Sequence, residues 1–99
     1  MAVIKPIINP DKQIETDLLE DTDKGCRIIV WNDEVNTFEW VIETLMKVCG
    51  HSEEQAEQCA HIIHFNGKYA VKEGGFEKLR PMCEAIIDRG INATIEEVD

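Results

Sequence analysis

Cys26-Arg27-Ile28-Ile29-Val30-Trp31-Asn32-Asp33-Glu34 decides the fold. The run from Cys26 to Trp31 is rich in β-branched and apolar residues, a strand signature. Both of its faces are partly apolar, which predicts a central strand covered on at least one side. It stops abruptly at Asn32, Asp33 and Glu34, whose amide and carboxylate oxygens sit where the backbone must change direction.

Beyond that corner a helix is predicted from about Thr37, with Asn36 as its cap and Glu39 completing a capping box. Phe38, Val41, Ile42, Leu45 and Val48 repeat at the spacing of one buried stripe, and Gly50 supplies the stop. A second helix opens at Ser52, with Gln55 closing another capping box and Glu53 and Glu54 favouring the helix dipole. Its buried side is read as Ala56, Cys59, Ala60, Ile62 and Ile63, and Asn66-Gly67 ends it. So short a connection predicts an antiparallel hairpin, which returns His64 to the end of the fold that holds Asn32 and Asp33.

Lys68 to Lys72 alternates weakly and predicts a short strand broken by Gly74-Gly75. Phe76, Leu79, Met82, Cys83, Ile86 and Ile87 then form a third helical stripe, closed by Gly90. Pro81 interrupts it, so that helix either begins near Pro81 or kinks there. Asn92 to Val98 contains Ala93-Thr94-Ile95, an expected edge strand. The order β-α-α-β-α-β predicts an α+β fold, a three-stranded antiparallel sheet covered on one face by three helices. Upstream, residues 1–24 lack a sustained period. With Pro6, Pro10 and the acidic segment from Asp17 to Asp23, they read as a flexible tail ahead of a single domain at 25–99.

The 99 residues suffice for one core. Ten basic residues against twenty acidic ones give a net charge of −10, which excludes the basic face a nucleic-acid binder needs. No apolar run approaches the roughly 20 residues of a membrane span, and no secretory signal opens the chain, so a cytoplasmic protein is expected. Cys26, Cys49, Cys59 and Cys83 lie in or near apolar stretches and read as reduced core thiols. Cys59 and His61 fall on different sides of a helix, which suits no closed zinc set, so neither metal nor cofactor is expected. No phosphate loop, Ser-His-Asp set or H-E-x-x-H is present, and an enzyme is not expected.

The run Val30-Trp31-Asn32-Asp33-Glu34, followed by a helix and then by His64-Phe65-Asn66-Gly67-Lys68, resembles the ClpS family of adaptors for the Clp unfoldase-protease. The resemblance spans about Cys26 to Val98 and is strongest across Ile28 to Lys68. It implies that Asn32, Asp33 and His64 bind the free α-amino group of a substrate's N-terminal residue. It also implies an adjoining pocket at Asn36, Phe38, Val41, Ile42, Ala60 and Ile63 for a bulky Leu, Phe, Tyr or Trp side chain. The implied partner is a Clp-type AAA+ unfoldase. Phe38 and Ala60 stand where the family often carries methionine, and Asn36-Thr37 replaces its usual Thr-Pro. The segment after Lys68 is shorter and lacks the common Cys-Gly turn.

An α-ammonium has three donors, and acceptors on separate elements can meet them directly or through water. A carboxylate strengthens such bonds, and a neutral imidazole supplies an acceptor that protonation removes. The bland reading makes Asn32-Asp33 a simple turn and His64 a helix-end residue. Two rival functions remain. One is an interaction domain similar to the C-terminal domain of the ribosomal stalk protein, which binds through its helices and has no use for the Asn-Asp/His set. The other is a small hydrolase built on Asp33 and His64.

Overall fold

β1, Gly25–Trp31, runs through the middle of the sheet, and its alternation sets the two layers. Cys26, Ile28 and Val30 point to one side and are buried among the helices, with Ile28 fully inaccessible. The computed structural model describes residues 25–98, and the acidic tail read at 1–24 lies outside them. The remaining elements are α1 (Phe38–Cys49), α2 (Glu53–Asn66), β2 (Lys68–Gly75), α3 (Phe76–Asp88) and β3 (Ala93–Glu97). Both outer strands pair antiparallel with β1, giving the order β2-β1-β3, so the expected α+β architecture and element order are present.

The helices cover the sheet through Leu45 and Cys49 of α1, Ala56, Cys59 and Ile63 of α2, and Leu79, Cys83 and Ile86 of α3. All four cysteines are buried. Burial raises the pKa of the Cys49, Cys59 and Cys83 thiols, because the core disfavours a thiolate.

Several local expectations need correction. α1 is capped by Thr37, whose Oγ1 accepts from the Trp40 amide at 3.1 Å, and Asn36 is engaged elsewhere. α2 carries the expected box in full, but Ile62 is 37% exposed because it sits off the stripe of Ala56, Cys59, Ala60 and Ile63. β2 does not break at its glycines: Gly74 and Gly75 pair with Cys26 and Gly25. A Cβ added at Gly74 would stand 3.5 Å from Leu79, so this part of the strand passes close beneath α3. The pairing slips between Ile28 and Ile29, where Val71 is the extra residue of a bulge. α3 starts at Phe76 and takes Pro81 inside it. The carbonyl that loses its donor there belongs to Glu77, in the exposed first turn, while Leu79, Cys83 and Ile86 hold the helix down.

Candidate functional site

Three connections meet at one end of the fold. The β1–α1 corner is tied to the end of α2 by the Asn32 amide, which donates to the Gly67 carbonyl at 2.8 Å. It is tied to the α3–β3 turn by the Trp31 amide, which donates to Asn92 O at 2.9 Å. Gly67 and Gly90 both adopt the left-handed conformation, at φ 92° and 87°, which lets α2 and α3 turn sharply at this end.

Inside the corner, Asp33 folds the loop around its own carboxylate. Oδ1 accepts from the Val35 and Asn36 amides, each at 2.9 Å, and Oδ2 accepts from Asn36 Nδ2 at 2.8 Å. The Asn36 backbone amide, above all, holds the Asp33 carboxyl below its ordinary pKa; partial burial opposes that, and the Asn36 side chain and Val35 amide add to it. Asn36 Nδ2 also donates to Gly90 O at 2.9 Å, so one side-chain amide joins the corner to the α3–β3 turn. Arg89 fastens the same turn to α1. Its guanidinium lies 4.3 Å from the Trp40 ring centroid, its Nε donates to Thr44 Oγ1 at 2.9 Å, and its carbonyl accepts from Trp40 Nε1 at 2.9 Å. Trp40, off the main stripe of α1, is therefore a fastening residue.

These connections border an open cavity of about 370 Å³. Asn32, Asp33 and His64 line it together with Asn36, Phe38, Val41, Ala60 and Ile63. Ile42, expected in the same wall, packs against the hydrophobic core instead. Val30, Trp31, Glu34, Thr37 and Ile91 also line the cavity and escaped the sequence reading. Glu34 was visible as the third polar residue of the corner. Ile91 gave no signal, since a single apolar residue after Gly90 belongs to no periodic stripe. It is 3% exposed and enters the wall because Gly90 turns the chain back over α3.

The cavity lining thus combines polar groups, Asn32, Asp33, Glu34 and His64, with apolar ones, Val30, Phe38, Val41, Ala60, Ile63 and Ile91. Phe38 opens α1 and meets His61 and His64 near the end of α2, as an antiparallel hairpin requires. The other histidine, His51, serves the core: Nε2 pairs with Val71 O at 2.8 Å and Nδ1 lies 3.8 Å from Cys59 Sγ. Among the described residues no group of three or more metal-ligating side chains forms. No helix there is long and apolar enough to cross a membrane.

The family model for "ATP-dependent Clp protease adaptor protein ClpS" matches residues 21–94. Curated relatives include the ClpS adapter protein of Corynebacterium glutamicum strain R, 26% identical over 93% of this chain and 92% of the relative. That of Mycobacterium tuberculosis strain H37Ra is 29% identical over 98% of each chain. Among solved structures, Agrobacterium tumefaciens ClpS2 bound to L-phenylalaninamide has the same fold. It superposes with a TM-score of 0.71 at 21% identity, covering 77% of this chain and 99% of that one.

Proposed function

Because the chain belongs to the ClpS family of non-catalytic Clp protease adaptors, we propose that it captures proteins by a free, bulky hydrophobic N-terminal residue and delivers them to a Clp-type AAA+ unfoldase. One observation carries this reading: a single cavity is lined by Asn32, Asp33 and His64 together with six apolar residues. An N-terminal residue combines the same two kinds of group, an α-ammonium on one side of its Cα and an apolar side chain on another. L-Phenylalaninamide, the ligand of the similarly folded protein, carries both groups.

In the capture step the ammonium donates to the Asn32 side-chain oxygen, to the acidic corner and to a ring nitrogen of His64. Asp33 enters already oriented by three hydrogen bonds from its own loop. It therefore needs little reordering on binding, which favours affinity. Glu34 adds a second carboxylate to the cavity lining. The side chain of the captured residue, Leu, Phe, Tyr or Trp, lies against Phe38, Val41, Ala60, Ile63 and Ile91. An acetylated terminus offers one amide donor and no charge, so it leaves polar groups of the lining unpaired, and this supplies most of the discrimination. The polar groups thus have a role in capture that a stalk-like helical interaction surface lacks. A soluble, cytoplasmic location fits the reading.

Calorimetric titration with decapeptides that differ only at the first residue tests it. Free N-terminal Leu or Phe is expected to bind, and the acetylated form to bind at least about 100-fold more weakly, as for a lost charge-assisted contact. Equal binding of free and acetylated peptides would overturn capture. Delivery is tested by degradation of a reporter bearing the same N-terminus, with a Clp unfoldase-protease and with or without this chain.

A further inference from the structure

Phe65 is 80% exposed, an unusual placement for a large aromatic side chain on a helix. It is not isolated. Its ring lies edge-on to His64, with centroids 5.0 Å apart, and parallel to His61, at 6.2 Å and an interplanar angle of 3°. His61 in turn meets Phe38 edge-on at 4.8 Å and 90°, and Phe38 is a wall of the cavity. Four rings therefore run continuously from the cavity wall onto the surface next to His64. Ring contacts of this kind fix orientation and add modest stabilisation beyond burial. Phe65 is thus held in place with much of its surface still uncovered.

We infer that the Phe65–His61 ring pair is a subsite for the second residue of the captured chain, and that it prefers a large apolar side chain there. The inference rests on capture of a free N-terminus as proposed above. Chain geometry supplies the reach. The Cα of the second residue lies about 3.8 Å from that of the first, whose ammonium is held beside His64. A ring 5.0 Å from the His64 ring is therefore within the span of a second side chain. The charges on the flanking elements are of both signs: Glu34 on the cavity wall, Glu57 one turn before His61 on α2, and Lys68, whose ammonium lies 4.8 Å from the Trp31 ring centroid. The group that gains most from covering an uncovered ring is apolar.

The test uses the full chain and decapeptides that all begin with free Leu and carry Ala, Phe, Arg or Asp second. Wild type is expected to bind the Phe peptide about five-fold more tightly than the Ala peptide. Phe65→Ala is expected to bring that ratio to about one, whatever happens to absolute affinity, and Phe65→Trp to preserve it. Because Phe65 is exposed, its replacement removes no core contact; thermal melts of each variant verify the fold. A Phe-to-Ala ratio of one in wild type, a ratio that survives in Phe65→Ala, or a stronger preference for Arg than for Phe overturns the inference. Failure of the parent reading looks different: wild type then binds none of the four peptides.

Discussion

At the start of α2, Ser52 Oγ accepts from the Gln55 amide at 3.1 Å and Gln55 Oε1 accepts from the Ser52 amide at 3.2 Å. Both partners lie within one turn of the helix they cap. At the start of α1, Thr37 alone serves the helix, and the polar side chains before it are turned elsewhere. Asp33 gathers the Val35 and Asn36 amides, and Asn36 reaches Gly90, far along the chain. The first turn is a local device that ends a loop. The second holds three separate connections around a cavity. Polar residues obey local capping rules where a helix is their only client, and depart from them where they build a site.

The strongest way to break that contrast is Asp33→Ala. It removes the acceptor of three loop hydrogen bonds and a charge from the cavity lining. Peptide binding is expected to weaken by roughly 2–4 kcal/mol, as when a charge-assisted contact is deleted. Asp33→Asn sharpens the result, since it keeps an oxygen for the two backbone amides but carries no charge. Calorimetry showing wild-type affinity in Asp33→Asn would remove the charge from capture.

Acid probes the same turn without mutation. The folded-state pKa of Asp33 is lowered, so its contribution is fully present above the unfolded carboxylate value of about 3.9 and is lost as pH falls through the lower folded value. The Val35 and Asn36 amide resonances should therefore hold steady between neutrality and about pH 5, and move only in stronger acid. In Asp33→Asn that acid transition should be absent. A transition of those two amides near neutrality would contradict the assignment.

The contrast also explains how much the chain discloses in advance. The central strand, the element order and the hairpin that brings His64 back toward Asn32 follow from Cys26–Trp31, two apolar stripes and a short connection, all of them local patterns. What escaped depends on contacts distant in sequence. Asn36 resembles a helix cap until Gly90 is seen beside it. Gly74 and Gly75 look like a break until β1 is found to extend back to Gly25 and pair with them. Ile91 enters the cavity through the turn at Gly90, and Ile42, a member of the α1 stripe, faces the core. Periodicity identifies which face of a helix is apolar, but does not say which part of that face a cavity borrows.

Asn36→Ala has a smaller expected effect than Asp33→Ala. It deletes the donor shared by Asp33 Oδ2 and Gly90 O, at 2.8 and 2.9 Å, and leaves the backbone amides to hold Asp33 Oδ1. Urea unfolding should show a loss of about 1–2 kcal/mol, and peptide affinity should fall with it because the corner keeps only its Trp31–Asn92 backbone tie to the α3–β3 turn. A loss of stability with affinity unchanged would mean that the cavity does not depend on the bridge.

Ser52→Ala should have the smallest effect on binding and a clear one on stability. The hydroxyl satisfies one otherwise unpaired amide at the start of α2, and its loss should cost about 1 kcal/mol, read as a lower urea midpoint at constant slope. Peptide affinity should stay at the wild-type value, because the box lies at the opposite end of α2 from His64 and takes no part in the cavity. Thr37→Ala is the matched control: it removes a cap of the same kind, but from a residue that lines the cavity. Similar stability losses, with affinity reduced in Thr37→Ala alone, would separate capping from site-building. If Ser52→Ala weakens capture as much as Thr37→Ala does, α2 transmits strain along its whole length, and the turn into it is no longer a local device.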